Sequence, residues 1–526
     1  MISKGLFPVL AFLLLFSTVV IPAEERTTLT TAYASTEYQW DIIHSYSSFE
    51  AQLYTAVYEG LVTYHPFSLQ PISGVARFWE VMPDGKTWRF YLRENARYWN
   101  GDRVTAAHFR DAWLTLLDPE EKAEYSSLLD VVRGALDYRT GKTTDPETVG
   151  LRVLSDTLLE VELEEPADHF LKILCHHSLA PIHPKLLKQR QWNSKTAILS
   201  NGPFYVLSWS DEEIILGKNL LYWDASSVEL EKIRIMLTDD YEETTARFNS
   251  GEIHWCAGGI DWGAVENPNN LLLNPMFATS YLFFSCLSPP FDRADVRRGL
   301  ALLIPWEEIR SEDYMLLPTA GLVPSIPGYP EAQGIEAQNV NEGLALLNAQ
   351  GFPKGQGLGD LIIRVPEGGD MERISTLIKD AWETSLDITV AVEYHSYPSY
   401  FDVIETRPYT LATITWIGDF ADPLTFLQMW TGTSNLNDSG YRNENYDTLL
   451  KESMGQTGEK RYETLGVAEA LLLSEAAVLP LSHYPALNAL EVSLVDGWYP
   501  NPLDIHPFKY IRFNKPEIPP SVVMSR

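Results

Sequence analysis

The sequence predicts a mixed α/β protein of two or three domains, and three observations carry that prediction. The chain has 526 residues, 45% hydrophobic and 21% charged, which is apolar surface enough for more than one core. Strand-like alternation and helix-like spacing take turns along almost its whole length. Beyond about residue 340 the pattern settles into strand, helix, strand, the order of a βαβ unit.

The first 23 residues carry Lys4, an uncharged apolar run from Leu6 to Val20, then Ile21-Pro22-Ala23 ahead of Glu24 and Glu25. That is the build of a secretory signal peptide. The run is long for a signal, so an uncleaved membrane anchor is the alternative. No cysteine precedes Cys175, which removes lipid attachment at a cleavage-site cysteine.

Thr87 to Leu92 places Trp88, Phe90 and Leu92 on one face of a strand, and Asn100-Gly101-Asp102 reads as a turn. Thr105 caps a helix whose apolar side is Phe109, Trp113, Leu116 and Leu117, ended by Asp118-Pro119. Leu159, Val161 and Leu163 alternate with Glu160 and Glu162, a strand with one wet face. Phe204 to Trp209 and Ile214 to Leu216 flank Asp211-Glu212 as a hairpin. These elements make an α+β half.

In the later half, Leu361 to Val365 is a short strand, Ile374, Leu377, Ile378, Ala381 and Trp382 mark a helix face, and Ile388, Val390 and Val392 mark a second strand. Leu411 to Ile417 is a further buried strand, so an open, mostly parallel sheet is expected there. The segment Pro318 to Pro330 holds too many prolines and glycines for a regular element, and reads as a lid or a surface loop.

Charge excludes one class of partner. With 40 Lys+Arg against 71 Asp+Glu, the net charge is −31, and such a surface repels nucleic acid and anionic membranes. Fifteen Trp and 26 Tyr suit either a large aromatic core or a ligand surface lined with rings. The three cysteines, Cys175, Cys256 and Cys286, exclude a disulfide scaffold and leave one bridge, Cys256 to Cys286, open.

HExxH, GxSxG, GxxxxGK[ST] and GxGxxG are all absent. Adjacent histidines seldom point the same way, so His176-His177, with His183 nearby, are not expected to hold a metal. No cofactor is expected. Asp419 and Asp422 stand three residues apart, a poor fit to a glycosidase pair, which comes from two sides of the sugar.

Asp419 ends the buried run Thr413-Ile414-Thr415-Trp416-Ile417-Gly418. A carboxylate there is costly unless partnered. Its bland reading is a cap or an internal ion pair; its functional reading is an anion awaiting a cationic ligand group. Asp422, ahead of Pro423 and a helix from Leu424 to Trp430, reads as a structural cap.

The run Trp416-x-Gly418-Asp419-Phe420-x-Asp422-Pro423 resembles a segment of the peptide-binding proteins of ABC transporters, the extracytoplasmic solute-binding proteins of family 5. Other blocks follow in the family's order. They are Tyr58-Glu59-Gly60-Leu61-Val62, Trp88 to Ala96, Trp99-Asn100-Gly101-Asp102 to Ala106, Asn201-Gly202-Pro203-Phe204, Tyr222-Trp223-Asp224, Ser250-Gly251-Glu252-Ile253 and Val296-Arg297.

This resemblance implies a periplasmic-binding-protein-like clamshell of two α/β lobes with an extra inserted α+β domain. Residues 24–58, 180–275 and 484–526 would form lobe I, 59–179 the inserted domain II, and 276–483 lobe III. It implies a monomeric, non-enzymatic periplasmic receptor that encloses an oligopeptide and delivers it to the membrane permease of an ABC importer. Backbone hydrogen bonds would hold the peptide and roomy, hydrated pockets would take its side chains.

By the same resemblance, Asp419 aligns with the carboxylate that pairs with the peptide amino group, and Trp416 and Gly418 lie on that wall. Tyr397 falls where such proteins carry another ring, with Tyr394 and Tyr400 close by. Gly258 and Gly259 sit where lobe I approaches the ligand by its backbone, unless they are a plain turn. His483 and Tyr484 are similar to cleft residues of some members, and Ser48 is a further candidate. Two departures stand out. Leu303-Ile304-Pro305-Trp306 replaces the usual Asp-Arg pair, and Arg407 is the only cation between Thr406 and Trp416. Other readings are a receptor of the same fold for an oligosaccharide or a nickel or haem chelate, and, from another class, a secreted hydrolase.

Overall fold

The computed structural model describes residues 27–514 except 46, 190–196, 312–316, 405 and 407. The leader over residues 1–23 and Arg407 lie outside the described residues.

The spine is one mixed sheet of eleven strands. From one edge it runs Val390–His395, Leu361–Pro366, Leu411–Ile417, Leu271–Phe284, Val478–Leu490, Trp255–Cys256, Thr28–Tyr33, Lys232–Leu237, Glu213–Lys218 and Phe204–Trp209, with the short Leu317–Pro318 beside Val478–Leu490. The three outer strands at the first edge are parallel, and the helix Asp370–Ser385 makes the expected crossover. The parallel order expected of that half holds for these three strands, and further in the sheet turns antiparallel. Leu411–Ile417 is antiparallel to Leu271–Phe284, which is antiparallel to Val478–Leu490. These two strands come from before and after the βαβ unit, and an apolar pattern carries no strand direction.

Those two inner strands are the longest in the sheet, with 14 and 13 residues. Pro275 stands opposite Pro485, and the register slips between Pro275 and Thr279. Neither proline has an N–H to give, so the ladder is interrupted there.

The inserted domain is built on a four-stranded antiparallel sheet in the order Ala76–Val81, Thr87–Leu92, Leu158–Glu162, Leu151–Ser155. The helix Ala106–Leu116 covers it, with Phe109, Trp113, Leu116 and Leu117 buried as the spacing predicts. The wet face expected of Leu158–Glu162 is half dry: Glu160 is buried, held by Arg89 at 2.9 Å and Arg152 at 3.2 Å.

Several motif blocks meet at the joint between lobe I and the inserted domain. Asn201 exchanges hydrogen bonds with the Glu59 backbone (2.8 and 3.2 Å), while Tyr222 Oη and Trp223 Nε1 donate to the Glu59 carboxylate. A Cβ on Gly202 would lie 2.5 Å from the Val57 carbonyl carbon, so only glycine fits there.

In lobe III, Trp306 is fully buried with its Nε1 on Ala301 O at 3.0 Å and the Arg310 guanidinium 4.3 Å over its ring. The departure at residues 303–306 thus turns a helix end back into the core. The proline-rich segment 318–330 is tied down. Leu322 and Val323 are buried, their N–H groups both donate to Glu469 Oε1 at 2.9 Å, and Tyr329 Oη donates to Oε2 at 2.7 Å. It is a wrapping loop anchored on Glu469. All three cysteines are free thiols, Cys256 in lobe I and Cys286 in lobe III.

Candidate functional site

A cavity of about 840 Å³ lies where the two lobes and the inserted domain meet. Lobe I supplies Tyr33 to Gln39 and the first turn of the helix Ser48–Val57. The inserted domain supplies Tyr64, Tyr125 and Cys175 to His177, and lobe III supplies Phe401, Asp402 and Ile414 to Asp419.

The lobe III wall is the end of Leu411–Ile417. Gly418 N–H donates to Phe277 O at 2.8 Å, and backbone groups alternate sides along a strand. Ala412, Ile414 and Trp416 therefore bond toward Leu271–Phe284, while Thr413, Thr415 and Ile417 present their groups to the opposite edge. At Thr413 that edge is plugged by Tyr400 Oη, at 2.8 Å from the carbonyl and 3.0 Å from the amide. Pairing with Leu361–Pro366 has already ended at Ala412. Among the described residues, nothing pairs with the Thr415 and Ile417 groups on that side, and both residues line the cavity.

Facing it, the chain leaves the sheet after Tyr33. Tyr33 O still accepts from Thr238 N–H at 3.0 Å, and Ala34 to Gln39 then runs along the wall with exposure rising and falling residue by residue. The cavity thus lies between a strand edge of one lobe and an extended segment of the other.

Asp419 sits at the end of that edge, its side chain only 8% exposed. Thr425 fixes it twice, accepting from Asp419 N at 2.8 Å and donating to Oδ2 at 3.2 Å. Two tyrosines reach it from the inserted domain: Tyr125 Oη donates to Oδ1 at 3.1 Å, and Tyr64 Oη to the backbone carbonyl at 3.1 Å. His176 Nε2 lies 3.7 Å from Oδ1. Among the described residues no Lys or Arg pairs with this carboxylate, an arrangement suited to a ligand ammonium. Asp422 is the contrast. Arg461 grips it with two bonds of 2.8 and 2.9 Å and Leu424 N–H donates to it at 3.1 Å. Burial alone would raise its pKa, but Arg461 outweighs burial and holds the carboxyl below its usual range. It is structural, as its place before Pro423 suggests.

The predicted residues divide. Asp419, Trp416, Gly418 and Ser48 line the cavity. Trp416 is buried with Nε1 on Thr425 O at 3.1 Å, and Ser48 opens a helix capped by Ser47 and Glu50. Gly258 and Gly259 lie one layer behind. A Cβ on Gly258 would be 3.3 Å from Ala34 N, and Gly259, at φ +64, packs on the Tyr33 and Thr238 carbonyls. They shape the wall without facing the cavity.

His483 and Tyr484 lie on the crossing strand Val478–Leu490, outside the described lining. His483 Nδ1 is 2.9 Å from Thr279 Oγ1, and burial draws its pKa down to about 4. Tyr397 opens the helix Tyr397–Ile404, and its side chain lies outside what is described. Of its neighbours, Tyr400 is core and Tyr394 is at the surface.

The adjacent histidines depart from expectation. His176 and His177 turn the same way, ring centroids 4.1 Å apart, and both line the cavity. Burial lowers the His177 pKa, with His176 adding to it. His183 is elsewhere, on Asp102 at 2.9 Å. Among the described residues, no group of three or more His, Cys, Asp or Glu is placed to hold a metal. Cys175 also lines the cavity, but its Sγ turns to Leu171 O at 3.3 Å and burial raises the thiol pKa. The residues that sequence reasoning missed are Tyr125, Tyr64 and the Ala34 to Gln39 wall, none of which carries a local signal.

Comparison with known proteins bears on the family and the fold. The model of the bacterial extracellular solute-binding proteins, family 5 (middle), matches residues 70–438. The oligopeptide-binding protein OppA of Bacillus subtilis is 27% identical over 438 residues, 79% of this chain and 80% of that protein. Among solved structures, the Escherichia coli murein tripeptide binding protein MppA superposes with a TM-score of 0.83 at 22% identity, covering 93% of this chain and 99% of that one. Haemophilus influenzae OppA, in complex with RPPGFSPFR, gives 0.81 at 23% identity over 93% and 99%.

Proposed function

The chain belongs to the bacterial extracellular solute-binding proteins of family 5, and from that premise we propose that it captures oligopeptides between its lobes and hands them to the permease of an ABC importer. One observation carries the reading: an open strand edge at Thr415 and Ile417 ends on a buried carboxylate, Asp419, in one cavity. The edge can pair with any peptide backbone, and Asp419 can take its amino terminus. The cavity volume of about 840 Å³ is within the range of small-ligand pockets.

On this reading lobe I comprises residues 24–58, 180–275 and 484–526, the inserted domain 59–179 and lobe III 276–483. The interruption at Pro275 and Pro485 is then the hinge about which the lobes close. Residues 1–23 direct export. The relatives named above are a peptide binder in the wording of each name, and the retained Asp419 favours the same ligand class here over a sugar or a metal chelate.

The test is direct. The protein is purified from its native envelope without refolding and denatured, and mass spectrometry reads its amino terminus and whatever small molecules it releases. A mixture of short peptides and a terminus near residue 24 are expected. A single sugar, metal chelate or other compound would overturn the peptide assignment while leaving the clamshell intact.

A further inference from the structure

The inserted domain does more than wall the cavity, because it grips lobe III at three points outside the cavity lining. Lys172 Nζ donates to Ala421 O at 2.9 Å and stands 3.7 Å from Asp422. Arg139, held by two 2.6 Å bonds to Asp130 in its own domain, reaches across to Thr433 O at 2.7 Å. In the other direction, Asn435 of lobe III donates to Ala123 O at 2.9 Å and Ser126 Oγ at 3.1 Å. Lys172, Arg139 and Asn435 are all absent from the cavity lining.

The three contacts share a chemistry. Each ends on a main-chain carbonyl, so each depends on where the backbone of the opposite domain stands and not on what lies between the lobes. Two are donated by cations, one of them the deeply buried Arg139, and charge-assisted bonds of this kind are the stronger class. The loop that Lys172 holds, Asp419 to Asp422, is the loop that presents the proposed amine-binding carboxylate. Separating the inserted domain from lobe III therefore breaks all three grips together.

The geometry points to the inserted domain as a closure latch: Lys172, Arg139 and Asn435 supply a part of the lobe-closing free energy that is the same for every ligand. The proposal rests on the clamshell reading above. A receptor that closes on chemically unlike solutes needs such a contribution, since a ligand's apparent affinity scales with the population of the closed state that binds it.

The test uses Lys172→Met combined with Asn435→Ala, which leaves Asp422 paired with Arg461 and Arg139 paired with Asp130 and so spares the fold. Calorimetric titration with tri-alanine and with tri-lysine is expected to show both affinities lower by one common factor, on the order of tenfold or more. Small-angle scattering of the ligand-free variant is expected to give a larger radius of gyration than the parent. Lys172→Arg, which keeps a donor on Ala421 O, is expected to bind like the parent.

Unchanged affinity for both probes overturns the latch. So does a loss confined to one probe, which would make these side chains readers of ligand. Should neither probe bind the parent, the peptide reading falls and scattering alone decides the latch: an expanded ligand-free variant upholds it and an unchanged radius overturns it.

Discussion

Replacing Asp419 by Asn isolates the charge at the centre of the proposed site. The variant keeps the shape of the side chain. Its Oδ1 still accepts from Tyr125 Oη, now 3.1 Å away, and its amide nitrogen faces Thr425 Oγ1, now 3.2 Å from Oδ2, which has a lone pair to accept with. What is lost is the negative charge opposite a ligand ammonium, at a side chain 8% exposed. Removing one partner of a buried ion pair costs about 3–5 kcal/mol, because the other charge stays buried and uncompensated. At about 1.4 kcal/mol per tenfold, the affinity for tri-alanine should fall between a hundredfold and a few thousandfold. The assay is a double-mutant cycle by calorimetric titration, parent and Asp419→Asn against tri-alanine and N-acetyl-tri-alanine. The parent should strongly prefer the free amine, and the variant should hardly distinguish the two peptides. An equal preference in both proteins would refute the assignment, since it would place the amine against some other group.

Two further outcomes follow from a buried carboxyl under residues 318–330 and from a glycine of the site. Burial pushes the Glu469 carboxyl up to about 7, against the Val323 and Leu322 N–H groups and the Tyr329 hydroxyl that favour its ionised form. The unfolded chain ionises there near the ordinary value of 4.5, so the folded state holds the extra proton. Stability is then greatest below pH 4.5 and is lost as pH rises to 7, by about 3 kcal/mol at about 1.4 kcal/mol per unit. Thermal unfolding of Glu469→Gln should lack this loss, with its melting temperature gaining on the parent between pH 5 and pH 8; parallel curves would count against it. A Cβ on Gly418 would stand 2.5 Å from Phe277 Cδ1 and 2.9 Å from Thr425 Cγ2. Gly418→Ala should therefore cost about 1–3 kcal/mol in urea unfolding and weaken peptide binding by moving Asp419 off Thr425; parent-like stability and affinity would refute the packing argument.

How much of this was readable in advance depends on how local each signal is. Thr87–Leu92, Ala106–Leu116 and Leu411–Ile417 follow from periodicity and capping, which act over a few residues. Asp419 stood out because a carboxylate closing a buried strand needs an explanation in either reading. Glu160 misled because alternation marks the two faces of a strand without saying what covers them, and here two arginines do. The antiparallel centre of the sheet was not legible for a related reason: Leu271–Phe284, which pairs with Leu411–Ile417 on one side and with Val478–Leu490 on the other, is brought to them by the whole chain.

The site's own partners belong to that second kind. Tyr125 is 294 residues from the carboxylate it donates to, and Tyr64 is 355 residues from the carbonyl it reaches. Nothing around Tyr125 separates it from any tyrosine in a short helix. Its role exists only because the inserted domain closes on lobe III, and the same closure brings Lys172 to Ala421, a separation of 249 residues. On the proposed reading, the elements that meet a ligand's backbone and amine are written locally in residues 413–419. The proposed latch contacts are written in the inserted domain, so variation there would retune affinity without altering residues 413–419.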